Sequence, residues 1–194
     1  MPMFKYFALY KPYEVLSQFS PEINKRTLKD CIQVPSDVYP VGRLDYDSEG
    51  LLILTNDPTI NAAILHPSNA HERSYLVQVD GQITNDAVAR LEKGVIINVD
   101  GKSYKTRPAR VQLLEAPPEV PDRYPPIRFR KNIPTSWIKL TLKEGKNRQV
   151  RKMTAATGFP TLRLIRMSIG KLDITGWQPG ELRQFSKQEL LSWL

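Results

Sequence analysis

The sequence predicts an α+β fold: a largely antiparallel mixed sheet with flanking helices. Three observations carry that prediction. Segments that alternate in polarity, or run apolar for four to eight residues, outnumber segments with helical periodicity. The two kinds are interspersed along the chain, not segregated into blocks. No self-similarity appears at solenoid periods. A chain of 194 residues is long enough to bury a sizeable core, as one domain or as two small lobes.

Met3 to Tyr10 is rich in aromatics and reads as a strand that Pro12 closes. Thr27 to Ile32 suits a short helix with Thr27 as its cap. Leu51 to Leu54 is a continuous apolar run bounded by turn residues, the pattern of a buried strand. Thr59 to Leu65 reads as a helix capped by Thr59, with Ile60, Ala63 and Ile64 on one face. Ser74 to Gly81 alternates, so Tyr75, Val77 and Val79 share a face. Thr84 to Lys93 is a helix ended by Gly94. Val95–Val99 and Ala109–Leu114 read as strands around an Asp100-Gly101 turn.

Five prolines between Pro117 and Pro126 exclude helix and central strand, leaving an ordered surface loop. Ser136 to Lys143 alternates, with Ile138, Leu140 and Leu142 pointing one way. Asn147 is expected to cap a helix reaching Thr157, with Val150, Met153 and Thr157 inward and Arg148, Arg151 and Lys152 on a shared face. Strands at Thr161–Ile169, Lys171–Ile174 and Leu182–Phe185 follow. Ser186 with Glu189 forms a capping box that opens a C-terminal helix.

Charge is distributed unevenly. Residues 123–152 hold ten Lys/Arg against one acid, whereas the rest holds eighteen against nineteen, so nearly the whole formal charge of +8 resides in one segment. A near-neutral body with a concentrated basic segment is the footprint of a polyanion binder, and interleaved prolines and aromatics favour nucleic acid over a merely solvated face. Apolar runs are too short to span a bilayer, and no signal-peptide pattern opens the chain. A single cysteine, Cys31, excludes an intramolecular disulfide and suits a reducing cytosol. Two histidines, His66 and His71, lie without partner cysteines, which argues against zinc.

The stretch with most chemistry runs from Gly42 to Asp57. It sets Arg43, Asp45, Asp47 and Glu49 between two glycines, immediately before the apolar strand. A rigid core strand delivering a charged loop is how a scaffold presents reactive groups. Paired carboxylates suit chemistry at an anomeric carbon, and a neighbouring arginine keeps a carboxylate ionised. Backbone capping in a tight turn is the competing reading for each acid, and magnesium binding is a third, which Arg43 disfavours. A base inside RNA must leave the stack before C1′ can be reached, which calls for stacking groups and phosphate anchors. Tyr75 suits the first role, although its strand position fits a core tyrosine equally. Lys11, Arg128, Arg130, Lys131, Lys139 and Lys146 are generic candidates for the second.

Gly42-Arg43-Leu44-Asp45-x-x-Ser48-x-Gly50-Leu51-Leu52-x-Leu54-Thr55-Asn56-Asp57 resembles the signature of the RsuA-type pseudouridine synthases. Tyr10-Lys11-Pro12, Tyr75 through Gly81, Glu144 through Met153 and Thr161 through Gly170 resemble further motifs of that family, in the family's order and over nearly the whole chain. Ile133 to Trp137, and Asn147-Arg148 before Gln149, make it most similar to the RluE branch, which modifies a uridine in large-subunit ribosomal RNA. The resemblance implies the pseudouridine synthase catalytic fold, two small lobes with the active-site cleft between them. It implies cofactor-free isomerisation of uridine to pseudouridine in 23S ribosomal RNA by a cytoplasmic monomer, with no metal. Asp45 matches the essential aspartate, Tyr75 the tyrosine that packs against the target base, and Arg151 the basic residue paired with that aspartate. Arg43, Arg148 and Lys152 join Lys11, Arg128, Arg130, Lys131 and Lys146 as expected RNA contacts.

Two departures qualify the match. Many relatives open with a small RNA-binding S4 domain. Here the Lys-Pro motif already starts at residue 11, so the expectation is a single catalytic domain over 1–194, with the basic segment taking more of the RNA binding. Pro58 stands where relatives often have glycine, which alters a turn and not the chemistry. Two other classes compete with the enzyme reading. A non-catalytic RNA-binding ribosome-assembly factor on the same fold is disfavoured by the intact Asp45. A carboxylate glycosidase is disfavoured by the polybasic segment.

Overall fold

A computed structural model describes residues 3–127 and 133–194. In chain order the first strands are β1 (Tyr6–Lys11), β2 (Val15–Leu16), β3 (Arg26–Thr27), β4 (Tyr39–Pro40) and β5 (Glu49–Thr55), followed by α1 (Pro58–Leu65), β6 (Arg73–Asp80) and α2 (Asn85–Lys93). Then come β7 (Ile96–Val99), β8 (Lys102–Lys105), β9 (Arg110–Leu114), β10 (Thr135–Leu142), α3 (Gln149–Ala156), β11 (Thr161–Ile169), β12 (Leu172–Asp173), β13 (Leu182–Phe185) and α4 (Lys187–Trp193). The class is the α+β one expected from the sequence. The chain divides into two compact units. One holds the residues up to His71 and again from Arg166; the other holds Glu72–Ile165.

In the first unit, β1 lies between β13 and β5, antiparallel to both, with Tyr6 opposite Thr55 and Lys11 opposite Gly50. All seven residues of β5 are buried. A strand covered on both faces has no polar side to show, which is why it reads as a continuous apolar run and not as an alternation. Phe7, Leu9, Leu28, Leu44, Leu52 and Leu54 form the centre of this unit's core. Each such side chain stabilises the unit by roughly 1.5–3 kcal/mol through burial. The short helix expected at Thr27 is a single 3-10 turn over Leu28–Asp30, where the Thr27 amide donates to Asp30 Oδ2 at 2.7 Å.

Helix α1 begins differently from expectation. Asp57, not Thr59, is its cap: Asp57 Oδ1 accepts the Thr59 amide at 2.9 Å, and Pro58 occupies the first helical position. Proline suits that position because its missing N–H has no helical partner to lose. At the other end of this unit, Ser186 and Glu189 cap α4 reciprocally, as their spacing predicts.

The second unit is a sheet in which β10 pairs antiparallel with β6 and β9. Val77, Val79, Leu91, Ile138, Leu140 and Met153 lie at the centre of its core. The Asp100-Gly101 turn joins β7 to β8, not to Ala109–Leu114. Strand β8 escapes sequence reading because Lys-Ser-Tyr-Lys has neither an apolar run nor a clean alternation. Freed of that turn, β9 pairs with β10 instead.

Candidate active site

The Gly42–Asp57 stretch sits in the first unit, and its geometry follows from its two glycines and the strand behind it. Gly42 has φ +71° and Gly50 φ +106°, backbone states that side chains disfavour. A Cβ at Gly50 would overlap the Arg166 carbonyl oxygen and stand 2.6 Å from the Arg166 nitrogen. The glycine therefore permits a close backbone approach that the buried Arg166 reinforces by donating Nε to Leu51 O at 2.8 Å.

Between the glycines the loop is fastened on both sides of Asp45. The buried Ser17 hydroxyl donates to Leu44 O at 2.8 Å and faces the Leu44 amide at 3.0 Å. Leu44 itself is locked in the core. On the far side, the Ser48 amide donates to Asp45 O at 3.1 Å and closes the turn. Asp45 is half-buried, Glu49 is buried and Arg43 is exposed. Sequence reading singled out the acids but missed Ser17, whose position 27 residues earlier carries no local signal.

Lys11 corrects an expectation. It was a candidate phosphate contact, yet its exposure is 0%. Its ammonium donates to Val15 O at 2.7 Å and Pro12 O at 2.9 Å. Burial pushes its pKa down to about 7, against the opposing pull of the Glu49, Asp47 and Asp45 carboxylates and Cys31. An ammonium with no surface cannot reach a phosphate. Lys11 is instead the buried counter-charge of the acidic loop. The residue type is legible in the sequence, but its burial depends on the strand pairing that closes over it. Near the same loop, Lys25 Nζ stands 5.9 Å from the centroid of the Tyr46 ring.

The second unit carries the other expected site residues. Tyr75 lies on β6, 8% exposed and packed with the core cluster, opposite Leu140 of β10. Arg151 is half-buried on α3, and its Nη1 donates to Thr161 O at 3.4 Å. The turn leading into α3 is built around a buried acid. Glu144 accepts from Tyr104 OH at 2.6 Å, from the Arg107 amide at 2.9 Å and from Gln149 Nε2 at 2.6 Å. Gln149 Oε1 in turn accepts the Lys146 amide at 2.8 Å. The Glu144 bond, followed by burial, raises the Tyr104 pKa.

Arg148, not Asn147, is the N-cap of α3, held at φ +52° and ψ 33°. A non-glycine residue in that left-handed region is uncommon, and here the Glu144–Gln149–Lys146 network fixes the turn that requires it. Lys146 and Arg148 are exposed and Lys152 is half-buried. Lys146 Nζ lies 5.0 Å from the Tyr104 ring centroid. Arg128, Arg130 and Lys131 lie outside the described residues. Among the described residues, no group of three His, Cys, Asp or Glu side chains is arranged to hold a metal ion, and no helix is long and apolar enough to cross a membrane.

Comparison with known proteins gives this geometry a context. A family model described as RNA pseudouridylate synthase matches residues 5–156. The chain is 46% identical over 180 residues to the ribosomal large subunit pseudouridine synthase E of Vibrio parahaemolyticus, covering 93% of this chain and 73% of that protein. It is 46% identical over 177 residues to the protein of the same name from Xanthomonas campestris pv. campestris, covering 90% of this chain and 92% of that one. Among solved structures, the crystal structure of a pseudouridylate synthase matches with a TM-score of 0.80 at 24% identity, covering 100% of this chain and 75% of that chain. That last likeness shows the fold.

Proposed function

We infer the reaction from the family: this chain belongs to the RNA pseudouridylate synthases, and it is an isomerase that converts uridine in RNA to pseudouridine. Its substrate is ribosomal RNA of the large subunit, the molecule named for relatives at 44–48% identity. We assign it to one uridine of 23S RNA, in the cytoplasm, and to a monomer whose two units are the lobes of a single catalytic domain. The observation that carries the assignment is the Gly42–Asp57 signature, fastened in the structure so that the backbone on either side of Asp45 is fixed.

In this reading Asp45 is the catalytic carboxylate. The N1–C1′ bond breaks, the uracil turns, C5 bonds to C1′, the C5 proton leaves and N1 gains one. The atoms of uridine are conserved, so no cofactor enters the balance. Tyr75 packs against the target base, and Arg151 keeps the carboxylate ionised and oriented. What supports the Asp45 role is the way its loop is built. Two glycines, the Ser17 hydroxyl and a seven-residue buried strand hold the backbone still, which is the pre-organisation a catalytic group requires. Arg43, Lys146, Arg148 and Lys152, with Arg128, Arg130 and Lys131 of the basic segment, are assigned to RNA phosphates.

The test is to map pseudouridines in ribosomal RNA from cells with and without the protein, and with an Asp45→Asn variant restored in its place. One site should vanish on deletion, return with the wild type and stay absent with the variant. An unchanged map on deletion would overturn the substrate assignment. Full turnover by purified Asp45→Asn would overturn the role of Asp45.

A further inference from the structure

We propose that Tyr124 is a stacking platform for an unpaired base of the RNA substrate. The proposal rests on the reading above that the substrate is RNA. It concerns a residue outside the catalytic assignment.

Tyr124 is 90% exposed, more than any other large hydrophobic side chain among the described residues. A tyrosine normally covers its ring and leaves only the hydroxyl wet. Here the ring stands in water on a backbone that cannot easily fold it back. Pro125 and Pro126 follow immediately, and Pro117, Pro118 and Pro121 precede it. Each proline fixes a φ angle and removes a backbone donor.

The loop is also anchored. The buried Arg163 on β11 donates Nη2 to Pro121 O at 2.8 Å, fixing the root three residues before the ring. Arg123 donates Nε to Pro125 O at 2.9 Å, bridging the chain across Tyr124 itself. The ring is thus exposed and restrained together. A stacking group held this way loses little conformational freedom when a base lands on it, since only its two side-chain torsions remain to be fixed.

Charge decides what the platform takes. Tyr124 is the second residue of the 123–152 segment, with ten Lys/Arg against one acid. A polyanion is drawn to that segment, and an aromatic ring among cations is the arrangement that binds single-stranded nucleic acid, phosphates to the cations and bases to the ring. Because every base has a π-face, the contact is tolerant of sequence. It strengthens binding without selecting the target.

The experiment uses the full chain, with Tyr124→Ala, Tyr124→Phe and Tyr124→Trp compared with wild type. The probe is a fluorescently labelled single-stranded oligouridylate, and Kd is measured over a range of salt concentrations. Loss of one stacked base should weaken binding by about 5- to 150-fold in Tyr124→Ala, while the phenylalanine and tryptophan variants stay within about threefold of wild type. The slope of log Kd against log salt should be the same in all four proteins, because no phosphate contact is removed. Equal affinity of Tyr124→Ala and wild type would overturn the proposal. So would a phenylalanine variant as weak as alanine, which would assign the effect to the hydroxyl, or a salt slope that falls by about one, which would assign it to charge. Thermal melting of each variant separates a binding loss from a folding loss. A wild type that isomerises ribosomal RNA while Tyr124→Ala binds normally refutes the platform and leaves the enzyme reading standing. A wild type that does not isomerise, yet binds the oligonucleotide through Tyr124, does the reverse.

Discussion

Replacing Asp57 by alanine should destabilise the first unit by about 2–5 kcal/mol, the combined cost of a lost helix cap, a stranded buried hydroxyl and a lost, partly solvated ion pair. The carboxylate is fully buried and serves three elements. Oδ2 accepts from Tyr6 OH on β1 at 2.8 Å and from Lys187 Nζ on α4 at 2.8 Å, and Oδ1 accepts the Thr59 amide of α1 at 2.9 Å and the Thr59 hydroxyl at 2.6 Å. Loss of the helix cap costs about 1 kcal/mol. The Tyr6 hydroxyl, left buried without an acceptor, costs about 1–3 kcal/mol more. Lys187 is partly exposed and regains water, so it adds less, on the order of 0–1 kcal/mol. Asp57→Asn keeps one oxygen for the cap but puts an amide donor where Oδ2 accepts from Tyr6 and Lys187, so it should cost about 1–3 kcal/mol, the penalty of a buried donor left without its acceptor. The assay is urea unfolding at pH 7, comparing midpoints at unchanged m.

The pH dependence of the same site carries an independent check. Burial by itself would raise the Asp57 pKa. The bonds from Lys187, Thr59 and Tyr6 outweigh burial and hold it well below the usual carboxylate range. Its contribution is therefore complete above the unfolded value near 4, and it is lost as the pH falls further toward the depressed native value. The Tyr6 hydroxyl, by burial first and then by the bond and charge of Asp57, is pushed up to about 12. An alanine variant within 1 kcal/mol of wild type at pH 7, or one that loses stability in acid as steeply as wild type, would refute this account.

Gly50→Ala should cost at least about 3 kcal/mol, combining a φ of +106° in a side-chain-bearing residue with overlap of the Arg166 backbone, and should abolish turnover by displacing the Asp45 loop. A soluble variant with a native-like melting temperature would show that the two backbones part more easily than the packing implies. Lys11→Met should flatten the pH dependence of stability. With a native pKa near 7 and an unfolded value near 10.4, the unfolded wild type binds more protons across that window, so wild-type stability rises with pH by roughly 1.4 kcal/mol per unit between them. Parallel stability curves for the two proteins from pH 7 to 9 would place the Lys11 ammonium in water after all.

Most elements were legible because their signals are local. Strands β11 and β13 match the expected spans residue for residue, and α2 and α4 carry the caps that their sequences advertise. Their apolar periodicity and capping residues lie within a few positions of one another, where pattern and backbone geometry are tied directly. The misses have a common cause. Asp57 captured the cap of α1 because Pro58 can start a helix, and Arg148 displaced Asn147 because the Glu144 network bends the preceding turn. Strand β8 exists because β7 gives its polar residues a partner.

The candidate site divides along the same line. The amino-acid sequence by itself determined that Asp45 sits in a glycine-bounded acidic loop ahead of a buried strand, that a basic segment awaits a polyanion, and that the motifs run in the order of one family. Only the tertiary structure decided which charges are solvated. Lys11 reads as a solvated charge and Glu144 as a turn residue in the sequence, yet both are buried, Lys11 donating to the Pro12 and Val15 carbonyls and Glu144 accepting from Tyr104, Arg107 and Gln149. The physical reason is that a residue's type fixes its chemistry but not its surroundings. Desolvation, and the charge state that follows from it, are set by chain segments that meet only when the sheet has formed.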